Sequence, residues 1–257
     1  MTRHGRSFRV EAVVLRHWDY GEADRMIELF TVELGKVRAI AKGVRKTSSR
    51  KAGHLEPFTR VNLLLAEGRD LYIITQAETI DAYLPLRDDL LGVGRASYVL
   101  ELLDRFAYPG EENRAVYRLL TNTLQRLSGT AEPQLVLRYY ELSLLDLSGF
   151  RPQLFHCTSC EADIQPEDQY FSAERGGVLC PKCGRGMKGA QPISMLALKY
   201  LRHLQRSTFA EASRAHPSEE VHREMEMIMQ SYLAFVLERS LNTPRFLRQV
   251  TGSPATH

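Results

Sequence analysis

The sequence predicts an α+β, multidomain fold: an N-terminal β-barrel, then an all-α helical domain that carries a four-cysteine insertion. Three observations predict it. Five short strand-like runs lie within about the first 80 residues, the apolar period becomes helical from Leu86 onward, and Cys157-x2-Cys160 stands nineteen residues ahead of Cys180-x2-Cys183. The expected division is 1–80 for the barrel, 81–150 and 190–250 for the helical domain, 151–189 for the metal segment and 251–257 for a disordered tail.

Phe8 to Leu15 is a Val-rich strand and Arg25 to Thr31 a second; Glu33-Leu34-Gly35 turns the chain into a third, Lys36 to Lys42. Arg60 to Ala66 and Leu71 to Thr79 flank Glu67-Gly68-Arg69-Asp70, a link of hairpin type. An open sheet of that size would leave its edges exposed, so a closed barrel is expected. The oligonucleotide/oligosaccharide-binding barrel, the OB-fold, is the most economical choice.

Lys36 to Lys51 holds seven basic residues in sixteen and no acidic one. Its second half, rich in Gly, Ser and Thr, reads as a mobile basic loop. Residues 1–80 carry fourteen Lys and Arg against ten Asp and Glu, and the remainder twenty against twenty-one, so the excess positive charge lies in the first third. That asymmetry points to a polyanion, with a merely solvated loop as the alternative. Lys36, Arg38, Lys42, Arg45, Lys46, Arg50 and Lys51 are the candidate phosphate contacts. If roughly four of them touch a single strand, log affinity against log salt should slope near −3, at about 0.7 per contact. Trp18, Tyr20, Phe30, Phe58 and Tyr72 interleave with this charge, and aromatics beside cations suit base stacking. A barrel also needs aromatics in its core; Trp18 and Tyr20, beside Gly21, are the ones favoured for DNA.

Ala96, Val99, Leu100, Leu103 and Phe106 form one helical stripe, and Val116, Leu119, Leu120, Thr123, Leu124 and Leu127 another beyond Pro109-Gly110. A third helix opens at Pro133 and closes at Ser148-Gly149. Ser194 can cap a helix running to about Arg206, and a last long one follows Pro217 with Val221, Met225, Ile228, Tyr232 and Phe235 as its stripe. Asp88-Asp89 sits where a helix starts and suits a cap.

The cysteine spacing is that of a zinc ribbon, in which two turns each present two thiolates to one tetrahedral ion. Lys182, Arg185 and Lys188 would offset the charge of four thiolates. Cys157, Cys160, Cys180 and Cys183 as ligands leave no open position, so the Zn2+ is expected to be structural, with a contribution on the order of 10 kcal/mol. Redox dithiols or a disulfide pair are the rivals, and His156 is a neighbouring alternative ligand.

No phosphate loop, His-Glu-x2-His or Gly-x-Ser-x-Gly elbow is present, and Gly92-Val-Gly94 lacks a third glycine. No catalytic site is expected. The apolar runs Val10–Leu15 and Leu135–Leu147 are short and broken by charge, so neither a secretory signal nor a membrane span is expected. A soluble, cytoplasmic protein is the reading.

Several stretches resemble the bacterial RecO family of recombination mediators: Asp19-Tyr20-Gly21-Glu22-Ala23-Asp24-Arg25 with Phe30-Thr31, Gly35-Lys36, Lys42-Gly43-Val44-Arg45 and Glu56-Pro57-Phe58 in the barrel. Leu86-Arg87-Asp88-Asp89-Leu90, Gly149-Phe150-Arg151-Pro152, Gly176-Gly177-Val178-Leu179-Cys180 and Phe246-Leu247 follow in the family's order. Glu161 stands where a glycine often follows the second cysteine, and Asn242-Thr243 where Lys-Ser is common. The resemblance implies a non-enzymatic protein that binds single- and double-stranded DNA and anneals strands coated by single-stranded-DNA-binding protein. With RecR it would help RecA replace that coat, in the cytoplasm at the nucleoid. The coat protein's acidic tail would need a basic rim around an apolar groove. An RNA-binding chaperone using the same barrel is an alternative, and a zinc-dependent nucleic-acid hydrolase or deaminase a second.

Overall fold

In the computed structural model, residues 7–237 are described. They form two compact units, the first running to Gly129 and the second from Thr130. The tail expected at 251–257, Asn242-Thr243 and Phe246-Leu247 lie outside the described residues.

Five strands make the first unit: β1 (Ser7–Tyr20), β2 (Asp24–Thr31), β3 (Gly35–Ala41), β4 (Arg60–Glu67) and β5 (Tyr72–Asp81). They pair in the order β1-β2-β3-β5-β4 and close into a barrel, because β4 also pairs with β1. Every pairing is antiparallel except β3 with β5. Alternate residues fill the interior: Val10, Ala12, Val14, Ile27, Leu29, Ala39, Ala41, Val61, Leu63, Leu65 and Ile74 form one buried cluster, which Val44 and Leu55 join from the connection after β3. Small Ala at three of these inward positions leaves room for the branched side chains opposite.

β1 is longer than the run Phe8–Leu15. Its register shifts between Val14 and Arg16, and beyond that irregularity Arg16, Trp18 and Tyr20 point outward while the strand stays paired to β2. The polar composition of residues 16–20 concealed this extension.

β2 is buried along both faces from Met26 to Thr31, the outward residues included. α1 (Leu90–Phe106) brings Asp104 to Arg16 and Lys36 on the flanking strands, and Tyr117 of α2 (Arg114–Leu127) supplies part of the cover. Tyr117 of α2 stacks on Phe30 with ring centroids 6.2 Å apart, and its hydroxyl donates to Glu11 at 3.0 Å. The compact unit therefore extends past the last barrel strand. Asp89 caps α1 by accepting from the Gly92 amide at 2.6 Å.

The second unit holds α3 (Pro133–Leu147), a small sheet of β6 (Gln169–Ser172), β7 (Gly177–Leu179) and β8 (Ala190–Ile193), and the helices α4 (Pro181–Gly184), α5 (Met195–Arg206), α6 (Phe209–Ala212) and α7 (Glu219–Leu237). The sheet order is β7-β6-β8. Ser194 caps α5, its hydroxyl accepting from the Ala197 amide at 3.1 Å. α3, α5 and α7 bury Leu135, Leu142, Leu144, Leu201, Leu204, Met225, Ile228 and Tyr232. Phe235 departs from the expected stripe: it is 51% exposed and borders an open cavity of about 530 Å³ with Phe150, Arg175 and Tyr232. No helix among the described residues is long and apolar enough to cross a membrane.

Candidate metal centre and nucleic-acid interface

The four cysteine sulfurs lie within 4.8 Å of one another. Cys157 enters from a tight turn, closed by its amide donating to the Ala162 carbonyl at 2.8 Å and by the Glu161 amide donating to the Cys157 carbonyl at 2.9 Å. Cys180 precedes α4 and Cys183 lies within it, a single turn carrying both sulfurs. Gly184 then passes under Tyr170, where a Cβ would lie 2.5 Å from the ring, so a larger residue would push this turn away from β6.

Cys160 Sγ lies 3.8 Å from Cys180 Sγ. That equals the edge of a sulfur tetrahedron with bonds of about 2.3 Å, roughly 3.8 Å, and far exceeds the ~2.05 Å of a disulfide. The Cys180 amide donates to Cys157 Sγ at 3.4 Å. Burial pushes the Cys157 thiol up, but the backbone amides of Cys180, Cys160 and Ser159 outweigh it and bring it down to about 6. Hydrogen bonds that the Cys183 thiol donates to the sulfurs of Cys180 and Cys160 hold its proton and push it up to about 12. Four sulfurs at mutual distances that suit tetrahedral coordination are the donor set that a thiophilic divalent ion takes. The cluster can hold a metal ion and is compatible with zinc. His156 lies apart, pairing through Nδ1 with Asp163 at 2.9 Å on the surface.

The seven candidate cations of the barrel divide into two groups. Lys36 is largely buried, and its ammonium meets the Asp104 carboxylate of α1 and lies 3.9 Å from Glu28. Arg38 Nε donates to Glu28 at 3.2 Å. Glu28 is itself buried and also takes Arg16. Lys51 Nζ donates to the carbonyls of Lys42 at 3.2 Å and Ile74 at 3.0 Å, and burial lowers its pKa from 10.5 while Asp24 opposes the shift. Lys36 and Lys51 are thus committed within the fold, whereas Arg38 keeps its side chain 58% exposed despite its bond to Glu28.

Lys42, Lys46 and Arg50 are exposed and have no carboxylate within 4.0 Å among the described residues. Arg45 is exposed too, with one guanidinium nitrogen 3.4 Å from Asp19 and another 3.5 Å from the Gly21 carbonyl.

The segment that carries them is tied to the barrel at its start. Gly43, at φ +64°, donates its amide to Asp24 at 2.7 Å, the Arg45 amide donates to the Ala23 carbonyl at 2.9 Å, and Val44 inserts into the barrel core. The glycine admits the left-handed turn that sends Val44 inward and its basic neighbours outward. Trp18 and Tyr20 are 38% and 56% exposed on the outer face of β1, and the Arg16 guanidinium lies 5.9 Å from the Trp18 ring centroid. The sequence reading missed Arg16, Glu28, Asp24 and Asp104. A glutamate inside the apolar run Met26–Phe30 was the available signal for Glu28, and the alternation Arg16, Trp18, Tyr20 for Arg16.

A closed barrel with an exposed basic turn, joined in one chain to helices bearing a four-thiol cluster, defines a class of metal-compatible, polyanion-oriented barrel proteins. Known sequences narrow it. The family model described as Recombination protein O N terminal matches residues 5–83, and that described as Recombination protein O C terminal matches residues 87–245. The chain is 41% identical over 256 residues to the DNA repair protein RecO of Roseiflexus sp., covering 98% of this chain and 90% of that one. It is 36% identical over 232 residues to its namesake in Dehalococcoides mccartyi strain BAV1 (90% and 91% covered), and 32% identical over 246 residues to that of Desulforamulus reducens (96% of each). The chain belongs to the RecO family of DNA repair and recombination proteins.

Proposed function

We propose that this protein is a non-enzymatic mediator of recombinational repair that holds single- and double-stranded DNA on its barrel and anneals complementary strands. The observation that carries the reading is the turn, tied at its start, in which Lys42, Lys46 and Arg50 have no carboxylate within 4.0 Å among the described residues, beside Arg45. Such cations neutralise phosphates without reading sequence, and lowering the charge on two strands at once weakens the repulsion that slows their pairing. The strand order 1-2-3-5-4 supports assigning the barrel to the OB class, with Trp18 and Tyr20 as stacking platforms beside the phosphate path. Lys36 and Lys51 contribute less to DNA, since a carboxylate and two carbonyls already hold them, while Arg38, 58% exposed beside Glu28, stays a candidate contact as Arg45 does.

One structural Zn2+ would sit on Cys157, Cys160, Cys180 and Cys183 and brace the 151–189 segment. Four sulfurs leave no position for a reacting water, which argues against a metal-dependent hydrolase. Family membership supports RecR, RecA and the acidic tail of single-stranded-DNA-binding protein as partners, at the bacterial nucleoid. The test is annealing of complementary strands coated by that protein. Lys42→Ala/Arg45→Ala/Lys46→Ala should lose most annealing with an unchanged melting temperature, and full activity in that variant would reject the reading. Equal affinity for RNA, with no annealing of coated DNA, would favour the RNA-chaperone alternative.

A further inference from the structure

The barrel is weakest where β3 meets β5. That pairing is parallel and has only two rungs, Ala39 with Tyr72 and Ile40 with Ile73, whereas the antiparallel pairings extend along most of their strands. Immediately past the last rung, the carbonyls of Ile74 on β5 and of Lys42, just beyond β3, are joined by one group, the Lys51 ammonium, at 3.0 and 3.2 Å. A side chain thus continues the ladder where the backbone stops.

We propose that Lys51 is the clasp of the β3–β5 seam and a positioning residue for the basic turn, rather than a phosphate contact. The proposal rests on the reading above that this turn holds the DNA backbone. An ammonium has three donors, and Lys51 directs two into the protein from a half-buried position. The turn between residues 42 and 51 is tied near its start by the Gly43 amide, the Arg45 amide and buried Val44. At its far end Lys51 returns to the carbonyl of Lys42, the first of the exposed cations, and so closes the turn on itself. Without the clasp, Lys42, Lys46 and Arg50 would sample a wider range of positions, and binding would have to order them. The number of counterions released to the same phosphates would not change.

Two measurements test this on the full chain, with an oligothymidylate as probe. In the native protein, an amine-acylating reagent should modify Lys42 and Lys46 readily, and DNA should protect them. Lys51, turned into the protein, should react at a rate that DNA leaves unchanged; Lys51 gaining the same protection as Lys46 would overturn the proposal. Lys51→Met should weaken DNA binding about tenfold through lost preorganisation, leave the slope of log affinity against log salt at its native value, and quicken amide exchange in residues 42–51. A slope shallower by about 0.7, with exchange unchanged, would make Lys51 a direct contact and refute the clasp. Should Lys51→Met not fold, acylation of the native chain decides. Should native DNA binding prove indifferent to salt, the functional reading falls while acylation and exchange still decide the role of Lys51.

Discussion

Asp24 Oδ1 accepts the amide of Gly43 at 2.7 Å and so joins two family-like stretches that lie far apart in sequence. Asp19 to Arg25 and Lys42 to Arg45 are two halves of one corner of the barrel: Ala23 receives the Arg45 amide, while Gly21 and Asp19 receive its guanidinium. The acidic stretch shapes the basic one. Asp24→Ala removes a charged acceptor and should destabilise the first unit by about 1.5–3 kcal/mol, read from the denaturant midpoint, and loosen DNA binding. Asp24→Asn keeps an oxygen for the Gly43 amide while removing a negative charge from the phosphate path, so it should bind an oligothymidylate at least as tightly as the native chain.

The salt dependence of binding separates cations that meet phosphate from those that do not. Lys42→Ala and Lys46→Ala should each make the slope against log salt shallower by about 0.7. Lys36→Ala should leave it unchanged, because Lys36 already faces Asp104 and Glu28. Its effect should appear in stability instead, about 1.5–3 kcal/mol, as Asp104 loses its closest cation. An equal change of slope in all three variants would show that Lys36 breaks its ion pair to reach DNA.

His222 gives the second unit a pH dependence with a fixed sign. It is buried on α7, with Nε2 3.5 Å from Glu132, a carboxylate that also lies 3.5 Å from exposed His216. Burial lowers its pKa from 6.5; Glu132 and Glu219 oppose the shift and Arg138 adds to it. The folded pKa lies below the unfolded one, so the unfolded chain binds more protons between them. The contribution is complete above pH 6.5 and lost as pH falls through the folded value. The melting temperature should decline below pH 6.5, and His222→Phe should flatten that decline; an identical profile in the variant would assign it to other groups.

Features set by local pattern were legible in the sequence. The strand alternation, the helical stripes, the Ser194 and Asp89 caps and each Cys-x2-Cys pair depend on residues within a few positions of one another. Features set by pairing across the fold were not. Seven cations in sixteen residues look alike in a sequence, yet Lys36 and Arg38 are engaged by Glu28 and Asp104, and Lys51 by two carbonyls, through contacts that only closure of the barrel creates. Nor does anything local reveal that Val44 is a core residue or that Asp24 accepts the Gly43 amide. Phe235 kept the helical period but lies on the open side of α7.

Glu161 carries the last prediction. It follows Cys160 directly, and its backbone takes φ +61°, the left-handed region, while its amide closes the first cysteine turn on the Cys157 carbonyl at 2.9 Å. A side chain there costs about 1–2 kcal/mol, of which a glycine's greater unfolded freedom returns roughly 0.5–1 kcal/mol. Glu161→Gly should therefore stabilise the turn by about 0.5–1 kcal/mol. It also removes a carboxylate beside four thiolates, so metal loss to a chelator should slow together with the gain in thermal stability. Comparing Cys160→Ser with Cys160→Ser/Glu161→Gly separates the two effects: the double variant should still melt higher than the single one, while slow metal release is lost in both. A Glu161→Gly chain that melts lower than the native one would mean that the glutamate side chain contributes more to this turn than its backbone strain costs.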